Sequence, residues 1–510
     1  MTNIVINGFD LSLEELIQVS RYNAKVELSK DAKDKIVQSR QIVDDFVDQE
    51  KVVYGITTGF GKFSDVVINK EESELLQKNL IISHACGVGN PLDIEIVRAM
   101  MLLRVNALCK GFSGIRLSTV ETLVEMINKN VHPVIFEKGS LGASGDLAPL
   151  SHMVLPMLGL GEAFYEGQRM TGEEAMNKAG VTPINLTSKE GLALINGTQC
   201  MTAVGAITVY DAINLLKTAD IVAGMTFEAL NGITTALDNR VMTARPHQGQ
   251  INSAKNILKI LEGSKRTTTQ GELRVQDAYT LRCTPQVHGA SKDALRYVIE
   301  KVEIEMNSAT DNPLIFPDTI EAISSGNFHG QVMALAFDFL GIAIAEIANI
   351  SERRLERLVN PALNDLPAFL TPKGGLHSGF MIVQYSAAAL VSENKVLAHP
   401  SSVDSIPSSA NQEDHVSMGT IGARKARDIL DNTRKVLSME LLAACQGIDL
   451  AKNQANLAQA TKVTYDLLRE ASATIDEDVV MYHEINKSEN LIISNEIVKH
   501  VEQLIGEINI

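Results

Sequence analysis

The chain has 510 residues, of which 45% are apolar and 21% charged, and its formal net charge is −16. That length predicts two to four domains with sizeable cores, and an acidic balance with no Lys/Arg-rich tract argues against nucleic acid or an anionic membrane as partner. The five cysteines (Cys86, Cys109, Cys200, Cys283, Cys445) are odd in number and lack CxxC spacing, which predicts free thiols in a reducing, cytoplasmic setting and gives no zinc framework.

In chain order, Met1-Thr2-Asn3-Ile4-Val5 lacks the basic-then-apolar pattern of a secretory leader. Ser12-Leu13-Glu14-Glu15 predicts a capping box, since Ser12 and Glu15 can each satisfy a free backbone N–H. A second helix is predicted over Asp31 to Asp48, with Ile36, Val43 and Val47 on one face. Tyr54-Gly55-Ile56-Thr57-Thr58-Gly59-Phe60-Gly61 carries three glycines in eight residues and predicts a loop. Leu75 to Ala85 is helical in pattern and stops near Gly87-Val88-Gly89-Asn90-Pro91, which places His84 at a helix end.

The apolar run Val131 to Phe136 leads into Gly139-Ser140-Leu141-Gly142-Ala143-Ser144-Gly145-Asp146-Leu147-Ala148-Pro149-Leu150-Ser151-His152. A Gly- and Ser-rich turn is ordinarily a loop, but Ala143-Ser144-Gly145 has a particular chemistry open to it. Glycine lacks a Cβ, so the Gly145 nitrogen can approach the Ala143 carbonyl carbon and close a five-membered ring. Loss of water from that ring and from the Ser144 side chain leaves an exocyclic methylene, an electrophile made without an external cofactor. Asp146 can either hold the turn or open the helix that follows. Alone, the tripeptide also reads as an ordinary turn.

From about residue 200 the character changes, and long apolar stretches predict a bundle of long helices. These are Met201 to Leu230, Val332 to Leu358, Met381 to Leu397 and Ile421 to Leu450. Helices apolar on most faces need neighbours on most faces, so part of the bundle surface is expected between subunits. Ser378 to Val391 is interrupted by Gln384 and Tyr385 and is short for a membrane span, so a buried helix is predicted there. No HExxH, P-loop or strand-borne GxGxxG occurs, which leaves metal and nucleotide cofactors without support.

Several other segments carry groups capable of chemistry. Asn196 lies in Leu192-Ala193-Leu194-Ile195-Asn196-Gly197-Thr198-Gln199; Gln276, Tyr279 and Arg282 fall three apart; Phe328 and His329 lie in Ser325-Gly326-Asn327-Phe328-His329-Gly330. Ser408-Ser409-Ala410-Asn411-Gln412-Glu413-Asp414-His415-Val416-Ser417-Met418 brings carboxylates that can accept an N–H or take a proton. Each also has a plainer reading. Tyr54 and Phe328 can be packed aromatics, His84 a helix cap, Asn196 an Asn-Gly turn, and the polar runs solvated faces.

In their order and spacing these motifs, which span essentially the whole chain, resemble the aromatic amino acid ammonia-lyase and aminomutase family. The resemblance implies a mainly α fold: a mixed amino-terminal domain (1–200) carrying the turn and a long α-helical bundle (201–510) that assembles four chains. It also implies that Ala143-Ser144-Gly145 becomes 4-methylideneimidazole-5-one (MIO), with no external cofactor or metal. Tyr54 is then the base, Asn196 the donor beside the ring oxygen, and Phe328 an aromatic packed near it. Arg282 is the carboxylate clamp, with Tyr279 near the electrophile and Gln276 holding the substrate. His84 and Glu413 resemble the histidine-specific branch and imply elimination of ammonia from L-histidine to trans-urocanate. A tyrosine or phenylalanine lyase or 2,3-aminomutase is the nearer alternative, and a non-catalytic helical oligomer with an uncyclised turn the more distant one.

Overall fold

The computed structural model describes residues 3–59, 61, 68 and 70–510. Phe60 of the glycine-rich loop lies outside them. The chain forms two compact units, each discontinuous in sequence: Met1–Ile207 with Ile299–Asp338 and Pro400–Arg424, and Thr208–Val298 with Phe339–His399 and Lys425–Ile510.

In the first unit, helix Leu13–Ser20 opens on the expected capping box, with Ser12 and Glu15 each holding the other's backbone. Ser29 caps helix Lys30–Asp48, which buries Ile36, Val43 and Phe46, while Val47 packs half-buried beside them. Helix Ile94–Cys109 is the centre of this unit, because every residue from Ile96 to Cys109 is buried. The strands are short. Asn3–Ile6 pairs in parallel with Lys25–Leu28, and His132–Pro133 joins the Glu162–Tyr165/Gln168–Thr171 hairpin. Helices Lys70–His84, Leu147–Val154 and Glu190–Ile195 pack on one another, which brings segments far apart in sequence to one place.

The predicted long helices form as Gln199–Ala229, Gln331–Val359, Met381–Leu397 and Gly419–Leu450, and Thr284–Met306 is a further long helix that the sequence reading did not name. Gln331–Val359 is long and apolar enough by length and composition to cross a membrane, but 67% of its most apolar window is buried. In the second unit Asp220, His288, Lys292, Arg354 and Glu440 are all fully buried. Asp220 accepts from Lys292 and from His288 Nδ1 at 2.8 Å, and Arg354 grips both Glu440 oxygens. Two cations meet two carboxylates there, and burial keeps His288 below its ordinary value.

The buried helix expected over Ser378–Val391 forms within Met381–Leu397, and in the single chain only Val383, Ala387 and Asn394 of that helix are buried. Its apolar composition demands cover, and a fold made of one copy does not supply it.

Candidate active site

The turn at 141–146 is clamped from two sides. Ser417 N–H donates to the Gly142 carbonyl at 3.0 Å and Met418 N–H to that of Leu141 at 3.2 Å, while Ala143 packs on Val416 and Met418. Gly142 has φ +71°, and a Cβ there would sit 2.3 Å from Ser417 Oγ. On the other side Gly145, with φ +74°, pairs with Gly197; a Cβ would come within 2.1 Å of the Gly197 carbonyl oxygen. Glycine is therefore required at both positions.

Asp146 is fully buried, and its amide donates to Gly197 O at 2.7 Å. Its side chain makes no capping bond to the helix it precedes. Instead its carboxylate accepts from Ser140 Oγ (2.7 Å), the Met201 amide (2.8 Å) and Thr420 Oγ1. Of its two expected roles, holding the turn is the one it performs. Burial pushes this carboxyl up, and those three donors oppose the rise.

Ser144 faces a cavity of about 840 Å³ whose lining includes Tyr54, His84, Asn196, Phe328 and Glu413. Ser144 Oγ donates to Glu413 Oε1 at 3.1 Å, and Asn196 Nδ2 donates to the Ser144 carbonyl oxygen at 3.0 Å. Glu413 is itself held, since its Oε2 accepts from Ser408 Oγ at 2.9 Å and the two backbones exchange hydrogen bonds. His84 ends helix Lys70–His84, with Nδ1 3.0 Å from the Ser83 hydroxyl. Burial pulls its imidazole below the ordinary value, against the pull of the Leu80 carbonyl and Glu413. The Tyr54 hydroxyl accepts from the Gly61 amide at 3.4 Å; burial raises its pKa, the Gly61 bond opposes this, and the Glu413 charge adds to the rise. His329 and His415 stack on each other at 5.5 Å and are not among the cavity-lining residues.

Gln276, Tyr279 and Arg282 do not line this cavity. They belong to the second unit, where Arg282 Nη1 donates to Gln276 Oε1 at 2.7 Å and the guanidinium lies 4.6 Å from the Tyr279 ring centre. Arg282 meets both Gln276 and Tyr279, but the three do not share one helix. The helix is only Tyr279–Arg282, and Gln276 precedes it. Tyr279 is 69% exposed.

Sequence reading missed Ser408, Ser417, Thr420 and Arg104. The two serines border the 408–418 motif and Thr420 gives no signal of its own. Arg104 does give one: it is a lone cation in the apolar run Ala99 to Leu108.

The fold is mainly helical, and Ser144 of the doubly clamped Ala-Ser-Gly turn lines the cavity. The chain belongs to the aromatic amino acid lyase family, whose model matches residues 11–470. It is similar to the histidine ammonia-lyase of Alkaliphilus oremlandii, 66% identical over 99% of both chains. Among solved structures it resembles histidine ammonia-lyase from Trypanosoma cruzi, with 42% identity, TM-score 0.92 and coverage of 98% and 95% of the two chains. Tyrosine aminomutase from Streptomyces globisporus matches at 36% identity and TM-score 0.95, covering 98% and 99%.

Proposed function

We propose that this protein eliminates ammonia from L-histidine to give trans-urocanate, using an MIO group made from Ala143-Ser144-Gly145. The observation that carries the substrate is Glu413, 3.1 Å from Ser144 and in one cavity with His84: a carboxylate and an imidazole beside the reacting position suit a substrate bearing an imidazole. The relatives of 55–66% identity named histidine ammonia-lyase support the same reading.

The residues present fit the heterocycle. Ring closure joins Gly145 N to the Ala143 carbonyl carbon, at a place where the chain is bent and gripped and where a side chain on Gly142 or Gly145 has no room. The Ser144 carbonyl oxygen becomes the ring oxygen, and Asn196 already donates to it. When formed, the group supplies an electrophilic methylene that withdraws electrons from the substrate's amino nitrogen.

The chain's own side chains do the rest. Asn196 answers negative charge on the Ser144 oxygen. Glu413 and His84 orient the imidazole, and Phe328 walls the cavity. Tyr54 takes the β-proton, although its environment holds the phenol high; the substrate's ammonium brings in the positive charge that favours phenolate. Arg282 clamps the carboxylate bidentately, Gln276 helps hold the substrate and Tyr279 contacts the electrophile.

That cluster lies outside the cavity lining, so in this reading it serves a site completed by another copy of the chain in a homotetramer. Support comes from exposed apolar faces on Val332, Leu335, Phe339 and Ile342, spaced as one helical stripe, and on Ile382, Tyr385 and Val396. The setting proposed is cytoplasmic.

Two measurements test the proposal. Cyclisation with loss of two waters leaves the chain about 36 Da light, and purified protein should release ammonia from histidine. Ser144→Ala should keep the fold, restore full mass and abolish turnover. Ammonia from tyrosine with none from histidine would overturn the substrate, and full mass in active enzyme would overturn the electrophile.

A further inference from the structure

Arg104 lies in the buried helix Ile94–Cys109 and is itself completely buried. Its Nη1 donates to the Asn196 carbonyl at 3.0 Å, to Gln199 Oε1 at 2.8 Å and to the Thr310 carbonyl at 3.2 Å. All three acceptors are neutral. Its Nε and Nη2 are buried and make no hydrogen bond among the described residues. Burial pulls the guanidinium down to about 10, so it stays protonated at neutral pH.

No carboxylate accepts a hydrogen bond from Arg104 among the described residues, and the one whose charge acts on it, Asp311, is shared with Lys189. Lys189 and Asp311, also fully buried, pair with each other at 2.8 Å. The carboxylates of Asp146 and Glu305 take their hydrogen bonds from Ser140, Thr420, the Met201 amide and Thr198, not from Arg104. Burying a cation without its own anion is costly, and packing alone gives no reason for an arginine there.

Its placement gives one. Arg104 holds the backbone carbonyl of Asn196, whose side-chain amide donates to the Ser144 carbonyl oxygen. The next carbonyl, that of Gly197, takes the Asp146 amide beside the turn. Cation, Asn196 and Ser144 oxygen thus stand in series.

We propose that Arg104 is a positioning residue, which fixes Asn196 from behind and whose positive charge, bonded only to neutral acceptors, stabilises negative charge building on the Ser144 oxygen. The inference rests on reading Ala143-Ser144-Gly145 as the electrophile.

The test is Gln199→Glu, which sets a carboxylate against Arg104 Nη1 and neutralises it in place. Besides turnover, the readout is addition of 2-mercaptoethanol to the 143–145 group. The S–H bond adds across the methylene C=C, sulfur to the methylene carbon and a proton to the adjacent ring carbon, so intact mass rises by one whole thiol. The variant should keep the mass deficit and hold KM within ~3-fold, while kcat and the thiol-addition rate fall together by ~10–100-fold. Arg104→Gln should behave alike, and Arg104→Lys, which keeps the charge, should recover both rates to within ~5-fold of wild type.

Wild-type rates of both kinds in folded Gln199→Glu overturn the inference, as do equal losses in the Lys and Gln variants of Arg104. The Arg104 pair decides the matter should Gln199→Glu not fold. A wild-type chain at full mass overturns the reading of the turn and this inference with it, whereas a mass deficit with an unaffected Gln199→Glu overturns this inference alone.

Discussion

Asn196→Ala separates catalysis from stability. The mutation removes one donor, Nδ2, from the Ser144 carbonyl oxygen 3.0 Å away. The other side-chain polar atom, Oδ1, is buried without a partner among the described residues, so its loss relieves a desolvation cost. Losing a neutral hydrogen bond costs ~1 kcal/mol and removing an unsatisfied buried acceptor returns a similar amount, so stability should change by no more than ~1 kcal/mol. The rate should behave differently, because the same donor faces an oxygen that gains negative charge during reaction, and charge-assisted bonds are roughly twice as strong. A single preorganised donor of this kind is worth ~2.7–4 kcal/mol, or ~10²–10³ in kcat. The assay is steady-state ammonia release from L-histidine beside intact mass and a urea midpoint. A variant with the mass deficit and midpoint of wild type, but kcat within ~5-fold of it, would refute the role given to Asn196.

Further outcomes follow from the electrostatics. Since Tyr54 is held above the ordinary phenol value of 10, kcat/KM should climb with pH across the neutral and alkaline range, by about tenfold per pH unit, and Tyr54→Phe should flatten that slope. Glu413→Gln removes a charge that raises Tyr54, so the climb should shift to lower pH while discrimination for histidine over tyrosine falls, as parallel assays would read. His132, 9% exposed and contacted by Arg98 Nη1 at 3.1 Å, is lowered by burial and then by the Arg98 charge to about 4. A depressed histidine contributes stability above its unfolded value of 6.5 that is lost as pH falls toward 4, so at ~1.36 kcal/mol per pH unit wild type should lose ~3 kcal/mol that His132→Asn does not. Urea midpoints at pH 7 and pH 4 would show equal losses in both proteins if that reasoning is wrong.

Local signals in the sequence carried far. The capping box at Ser12, the helix over 30–48, the glycine turn at 139–146 and the long helices after residue 199 each rest on neighbours within a few positions, and each formed as its residues required. His84 ends its helix as read, and Tyr54, Asn196, Phe328 and Glu413 meet the turn in one cavity. That grouping was legible only through resemblance, since no spacing rule links Ser144 to Glu413, 269 residues away.

What tertiary structure alone decided were partnerships between distant groups. It gave the Asp146 carboxylate to Ser140, Met201 and Thr420 instead of to its own helix, and it set the Gln276–Arg282 cluster outside the cavity. It also left Met381–Leu397 uncovered and put an arginine bonded only to neutral acceptors behind Asn196. The physical reason is range. Helix and turn preferences are settled by the chain's own next few residues, whereas burial, charge compensation and cover for an apolar face depend on whatever distant segment, or separate copy, the fold brings alongside.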